Sequence, residues 1–278
     1  MFSMAVTVNV GGGPGGSATR VEGMSRWAER CILRQNPSVV FAQEVPGDEW
    51  LAIWGDAGYT ITDGVEPRWR IRSALITRHD LDVTQVTQSN CASLEYHGSY
   101  LAVARWNNAQ CGAVILASVH ASPNHAEPAR YGWAGDLPAA RAGNDSRWTG
   151  NRLWDSDMVL GTLGSLTKDR MAPGGVLAAG DFNEARRSDF DAQGARLGTW
   201  GQEYFAEVDR IGFTDVTFEA LQDEIPTRDG LQLDHVFVHG AVASLIDRRW
   251  EPVTDEWWAG PGDLVLSDHA PVWFFIDA

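Results

Sequence analysis

Apolar residues in this chain gather in short runs rather than long stripes. Val39-Val40-Phe41-Ala42 and Val176-Leu177-Ala178-Ala179 are continuous and have the length of strands buried on both faces. Residues 5–10 alternate apolar and polar like a strand and lead into a Gly-rich loop from Gly11 to Gly16. Met24, Trp27, Ala28 and Cys31 then recur at helical spacing, with Arg26, Glu29, Arg30 and Arg34 on the other face, until Asn36-Pro37 stops the helix. The pattern predicts further strands over 72–77, 100–106, 113–119, 233–238 and 271–276, and a helix over 154–166. Another helix is marked by Trp200, Tyr204, Phe205, Val208 and Ile211. Strands outnumber helices, and two packed sheets with helices outside satisfy such a pattern better than one open sheet.

No internal repeat or low-complexity linker divides the 278 residues, so a single domain over 1–278 is expected. The stretch 122–151 stands apart. Rich in Gly, Ala, Asn, Arg and Trp without a sustained period, it reads as a long insertion loop, either a functional lid or a disordered segment.

Composition narrows the class without naming a function. The chain is 44% hydrophobic and 21% charged, ordinary for a soluble globular protein, and no apolar stretch approaches the roughly 18 residues of a membrane span. Met1-Phe2-Ser3-Met4-Ala5 has neither a basic region nor a long apolar core, so no signal peptide is expected and the default location is cytoplasmic. A monomer is expected. The net charge of −15 argues against a non-specific, backbone-tracking nucleic-acid binder, although a local basic strip can override it. Cys31, Cys91 and Cys111 lack CxxC or His spacing, which argues against a zinc site. Cys91 and Cys111 can pair if their strands are neighbours; two buried thiols are the simpler expectation. Of thirteen tryptophans, Trp133, Trp148, Trp257 and Trp258 lie in polar, Gly-rich surroundings rather than core-like ones.

Four polar clusters follow apolar runs: Gln43-Glu44, Gly180-Asp181-Phe182-Asn183, Leu233-Asp234-His235 and Ser267-Asp268-His269. On a strand, positions i and i+2 share a face, so Asp181 and Asn183 would aim at one locus. A carboxylate there can orient or deprotonate water, and an amide can donate to a developing oxyanion. A plain turn is the competing reading of Gly-Asp and Asn. Asp234 is a natural partner for a distant histidine, since a carboxylate on one imidazole nitrogen leaves the other as a base. Glu44 suits an oxygen-only site for a hard divalent cation, or a surface ion pair.

Taken in order, Asn9 after a first strand, Gln43-Glu44, Gly180-Asp181-Phe182-Asn183, Leu233-Asp234-His235-Val236-Phe237 and Ser267-Asp268-His269-Ala270-Pro271 resemble the endonuclease/exonuclease/phosphatase superfamily across residues 5–276. The resemblance implies a deoxyribonuclease I-like four-layer α/β sandwich, two mixed β-sheets flanked by helices, with the site where the sheets meet. It makes Glu44 the principal Mg²⁺ ligand (Mn²⁺ being an alternative), with Asn9 close to metal and phosphate and Asp268 assisting at the metal edge. Asp181 would orient or activate water, Asn183 would bind the phosphoryl oxygen, and Asp234 would orient His269, the general base or phosphate ligand. His120 resembles the second histidine of the deoxyribonuclease branch, which stabilises the transition state or protonates the leaving group. Glu66 is its loosely matched partner, and His235 reads as structural. Arg68, Arg70 and Arg72 are candidates for substrate phosphates, or members of a solvated strand face. His125, Asp136 and Asp145 take no role.

A phosphate-ester substrate follows. The first expectation is a Mg²⁺-dependent phosphodiesterase acting on nucleic acid or a nucleotide-like diester. The alternative is a phosphatase on a small phosphorylated metabolite, lipid head group or inositol phosphate, which the acidic charge and the long Trp-bearing loop favour. A recruited member with binding or non-hydrolytic chemistry is the third.

Overall fold

The structure is a computed structural model that describes residues 2–11, 25, 28–64, 72–87, 101–123, 126, 141–142, 151–168, 170–190, 193–195, 198–247, 267 and 269–277. Fourteen strands are described: β1 (Phe2–Asn9), β2 (Val39–Gln43), β3 (Tyr59–Asp63), β4 (Ala74–Arg78), β5 (Val83–Gln85), β6 (Leu101–Asn108), β7 (Gly112–His120), β8 (Arg141–Ala142), β9 (Asn151–Arg152), β10 (Gly175–Asp181), β11 (Thr214–Asp215), β12 (Asp234–His239), β13 (Ile246–Asp247) and β14 (Val272–Asp277). Four α-helices accompany them: α1 (Asp48–Asp56), α2 (Asp155–Thr167), α3 (Trp200–Arg210) and α4 (Val216–Leu221).

Twelve strands form two six-stranded sheets, ordered β13-β14-β1-β2-β4-β3 and β11-β12-β10-β7-β6-β5. Each sheet has one parallel pair at its centre, β1 with β2 and β7 with β10, and is otherwise antiparallel. These are the two packed sheets expected from the apolar runs, mixed as the family resemblance implies, and helices cover them.

Alternation along single strands explains the layers. On β2, Val39 and Phe41 point between the sheets, where they join Leu75, Leu116, Leu177, Val236 and Phe274. Val40 and Ala42 point outward, onto a second core with Trp50 and Trp54 of α1 and with Ala28 and Ile32. On β10, Leu177 and Ala179 face the inter-sheet core, whereas Val176 and Ala178 face Val159, Leu163, Tyr204 and Phe205 of α2 and α3. A strand apolar on both faces is therefore stabilised twice, at about 25 cal/mol per Å² of apolar surface buried. Gly180 marks a close approach in the second sheet: a Cβ there would collide with the carbonyl oxygen of Val119 on β7. The lack of a side chain lets β10 carry Asp181 directly beside His120.

Several expectations shift in detail. The helix predicted from Met24 is described as a π-helical turn over Ala28–Ile32 and a 3-10 turn over Leu33–Gln35, closed by Asn36 at φ 49°. Helix α1 and strands β3 and β5 go beyond the periodicity reading; α1 carries its buried face on only Trp50, Leu51 and Trp54. Most of 122–151 lies outside the described residues, but Arg141–Ala142 and Asn151–Arg152 pair as a short antiparallel ladder. Cys111 is half-buried with a free thiol rather than fully buried, and burial pushes that thiol up from its ordinary value. Cys91, Trp133, Trp148, Trp257 and Trp258 lie outside the described residues. Among the described residues, no helix is long and apolar enough to cross a membrane.

Candidate active site

The central strands explain why distant side chains meet. Parallel β1 and β2 of one sheet, and parallel β7 and β10 of the other, end at one edge of the sandwich, delivering Asn9, Gln43-Glu44, His120 and Asp181. Antiparallel β12 begins at that edge with Asp234, and the residues leading into β14 bring His269 there. Register makes the placement specific: Asn9 lies opposite Gln43, and Asp181 lies opposite His120 on one side and Asp234 on the other.

A buried polar staple clamps the two sheets beneath this edge. Gln43 donates through Nε2 to Ser118 Oγ (3.0 Å), Ser118 donates on to the Ala42 carbonyl (3.0 Å), and Thr7 donates to Gln43 Oε1 (3.3 Å). These bonds join β2 of one sheet to β7 of the other one residue before Glu44 and two before His120. Unpaired, such groups would each cost about 1–3 kcal/mol, so the staple favours one relative placement of the sheets.

Asp181 is the centre of the cluster and is 1% exposed. Its Oδ1 accepts from the Asn183 backbone N–H (2.8 Å) and its Oδ2 from Asn9 Nδ2 (3.0 Å). The same Oδ2 lies 3.7 Å from His269 Nε2 and 3.9 Å from His120 Nε2. Burial pushes the Asp181 carboxyl above its ordinary range; His269 pulls it back, Asp234 adds to the rise, and His120 opposes it. Glu44, held at φ 49°, places Oε1 3.5 Å from His120 Nε2 and 3.2 Å from Asn9 Nδ2.

His269 is fully buried, and its Nδ1 is 2.7 Å from Asp234 Oδ2, the carboxylate–imidazole pair expected from the motifs. Its backbone N–H donates to Ser267 Oγ (3.1 Å), and Ser267 donates to the Asn9 carbonyl (2.6 Å), which ties the C-terminal motif to the end of β1. Nε2 faces Asp181 and also Arg228 Nη1, at 3.2 Å. Arg228 is not among the sequence candidates. It sits in Thr227-Arg228-Asp229-Gly230, which reads as an ordinary turn, and nothing local distinguishes it.

Asn9 and Asn183 come to the site with specific orientations. Asn9 bridges the Glu44 and Asp181 carboxylates with its amide nitrogen, while its Oδ1 accepts from the Gly11 N–H (2.9 Å). Asn183, at φ 52°, donates from Nδ2 to the Ala121 carbonyl (2.6 Å). An amide nitrogen has two hydrogens, so this bond orients the group and leaves a second hydrogen for an oxyanion.

Glu44, His120 and Asp181 each offer a ligand atom, and these atoms lie within 4.8 Å of one another. Two carboxylates packed against each other, one fully desolvated, fit a divalent cation, which would offset the repulsion that the Asn9 amide now bridges. Their oxygens suit a hard ion, and the His120 nitrogen widens the choice toward softer ones. Asp268, Glu66, Arg68 and Arg70 lie outside the described residues, as do His125, Asp136 and Asp145. Arg72 pairs with Asp48 (2.5 Å) and Asp63 (2.7 Å), an ion-paired fate rather than a phosphate-facing one.

His235 points to the opposite face of β12 and is fully buried among Phe182, Phe205 and Phe237. Its Nδ1 is 3.1 Å from Asp215 Oδ2, and its Nε2 meets the Glu184 carbonyl at 2.9 Å. Burial opposes its protonation, yet the Asp215 charge and hydrogen bond raise it above its ordinary value. Burial likewise pushes Asp215 up, but His235, Thr217 and Arg186 together bring it below its ordinary value. The raised histidine adds stability below about pH 6.5 and loses it as pH rises through the folded value. The lowered carboxylate adds stability above about pH 3.9 and loses it as pH falls through its folded value. Asp215→Asn should therefore lower the melting temperature most near pH 5, with the gap to wild type closing on the alkaline side. A gap that stays constant from pH 5 to 9 would exclude a charged pair.

The chain matches the model of the Endonuclease/Exonuclease/phosphatase family over residues 6–269. A search of curated proteins finds no match. Solved structures with this fold include the AP endonuclease LMAP from Leishmania major, 14% identical with a TM-score of 0.63, covering 100% of this chain and 88% of that one. The 3' phosphatase NExo from Neisseria, bound to a product DNA hairpin, is 16% identical with a TM-score of 0.61 over 99% and 100% of the two chains. The endonuclease domain of TRAS1, a telomere-specific non-LTR retrotransposon, is 15% identical with a TM-score of 0.58 over 99% and 98%. With its family model spanning nearly its whole length and its two packed mixed sheets, this chain belongs to the endonuclease/exonuclease/phosphatase family of hydrolytic phosphoesterases.

Proposed function

We propose that the protein is a Mg²⁺-dependent phosphodiesterase acting on nucleic acid or a nucleotide-like diester. The observation that carries this reading is the convergence of Glu44, His120, Asp181 and the Asp234–His269 pair at one strand edge. A divalent cation held by Glu44 and Asp181, with Asn9 beside it and Asp268 as a further ligand, would polarise the phosphoryl oxygen.

The chain's own groups supply the remaining chemistry. Asp181, whose Oδ2 lies between the two histidines, is the group to orient and deprotonate the attacking water. Asn183 offers its second amide hydrogen to a non-bridging oxygen. Asp234 accepts from His269 Nδ1, so Nε2 faces the reacting phosphate. His120, opposite Asp181 across the β7–β10 pair, would stabilise charge on the leaving oxygen. Glu66 and Arg70 are proposed substrate contacts.

A phosphatase acting on a small monoester is the second reading. The net charge of −15 favours it, as does Arg72, whose guanidinium is engaged by Asp48 and Asp63 rather than offered to a polyanion.

Bis(p-nitrophenyl) phosphate, supercoiled plasmid and small phosphomonoesters, each with Mg²⁺ or Mn²⁺, separate these readings. Diester cleavage that stops with EDTA and returns with metal is the expected result. Phosphate release from monoesters without diester cleavage would replace the first reading by the second. Absence of both activities would point to recruited chemistry.

A further inference from the structure

We infer that Arg228 is a substrate-binding residue of this site, whose guanidinium grips a non-bridging phosphate oxygen beside His269. This rests on the phosphoester reading above and adds to it a cation that neither motif order nor periodicity marks.

The turn that carries Arg228 is anchored on both sides of the site. Thr227 N–H and Arg228 N–H donate to the Leu231 carbonyl (2.8 and 3.0 Å), and Leu231 N–H returns to the Arg228 carbonyl (2.8 Å). Thr227 Oγ1 accepts from the backbone of Leu233 (3.0 Å) and Asp234 (3.2 Å), which fixes the turn to the start of β12. The Thr227 carbonyl accepts from Ala270 N–H (2.8 Å), which fixes it equally to the residue after His269. Arg228 is thus held by the two segments that form the Asp234–His269 pair, and its position follows theirs.

Its contact with His269 has a definite polarity. A guanidinium only donates, so Nη1 donates to Nε2 at 3.2 Å, and Nε2 is the unprotonated nitrogen. The ring proton is therefore on Nδ1, donated to Asp234 at 2.7 Å. Arg228 consequently stabilises the tautomer that the carboxylate pair requires. Nε2 also faces Asp181, so the guanidinium edge meeting it borders the space a phosphate must enter. The Arg228 side chain is 36% exposed and reachable from solvent; its Nε lies 3.5 Å from the exposed Asp229 carboxylate, while Nη1 is the nitrogen turned to His269.

A phosphate oxygen is a stronger partner for a guanidinium than a neutral imidazole nitrogen, because the hydrogen bond is charged on both sides. On substrate binding Arg228 exchanges His269 Nε2 for the phosphate oxygen, which frees Nε2 toward the reacting group. The planar fork suits two oxygens of one phosphate, a geometry lysine does not reproduce. The carboxylates of Glu44, Asp181 and Asp234 would otherwise repel the anion, and Arg228 brings a cation to the His269 ring beside them.

Steady-state kinetics of wild type, Arg228→Ala and Arg228→Lys on bis(p-nitrophenyl) phosphate test the inference, with calorimetric titration of inorganic phosphate as a readout independent of turnover. Arg228→Ala should raise KM and weaken phosphate binding by about 10- to 100-fold at an unchanged melting temperature, with Arg228→Lys recovering only part. Millimolar guanidinium should partly rescue Arg228→Ala and leave His269→Ala unrescued, a response that a merely structural arginine would not give. Unchanged KM and phosphate affinity in Arg228→Ala would overturn the inference while leaving the hydrolase reading intact. So would losses that track a lowered melting temperature without rescue. Arg228-dependent phosphate binding by a wild type that cleaves no ester would support Arg228 and reject the hydrolase reading.

Discussion

Asp181→Asn is expected to lower kcat for phosphoester cleavage by on the order of 10²- to 10³-fold while leaving the protein folded. The replacement keeps size and shape, removes the charge and turns the oxygen that accepts from Asn9 into a donor. The carbonyl oxygen of the introduced amide can still accept from the Asn183 N–H, so the local backbone has no reason to move. Stability should change little, because relief of the desolvated charge works against loss of the Asn9 hydrogen bond. In the proposed mechanism catalysis depends on that same charge, which would attract a cation and accept a proton. The two roles separate by titration: activity recovered by excess Mg²⁺ or Mn²⁺ marks a ligand, and activity that stays low at saturating metal marks the water-activating group. Near wild-type kcat would remove Asp181 from the centre of the chemistry, and the phosphoester reading would lose its main support.

The second large effect concerns Asp234, which in the proposed mechanism acts on the phosphate through His269. Its Oδ2 lies 2.7 Å from His269 Nδ1, inside a fully buried pair. Asp234→Asn lets an amide donate to Nδ1 and favours the wrong imidazole tautomer, with the proton on Nε2 facing Asp181 and Arg228. A fall in kcat between about 10² and 10⁴ follows from the behaviour of other carboxylate–imidazole pairs. The decisive measurement is a double-mutant cycle. If Asp234 acts by orienting His269, Asp234→Asn should do almost nothing further in a His269→Ala background. Fully additive losses would show that the two act separately, and the orienting role would be withdrawn.

Both predictions concern residues whose neighbourhood is visible in the chain itself. Gly180-Asp181-Phe182-Asn183 and Ser267-Asp268-His269 are short strings, and their meaning lies in local spacing and chain order. The strands ending at Gln43, His120 and Asp181 are readable too, because a strand buried on both faces is a nearly continuous apolar run. Helix α1 is harder to see. It carries its burial on three residues of a nine-residue segment, too few to establish a period.

Local pattern thus fixes which residues end each strand and which way each side chain alternates, since both depend on neighbours one or two positions away. Pairings across the fold depend on sheet order, register and the angle at which two sheets meet, none of which a single segment encodes. Asn9 meets Asp181 across 172 positions and Gln43 meets Ser118 across 75, contacts that exist only once both sheets have packed. Arg228 is the clearest case. In the chain it is one polar residue of a turn, and only docking of that turn against Ala270 and the start of β12 sets its guanidinium beside His269.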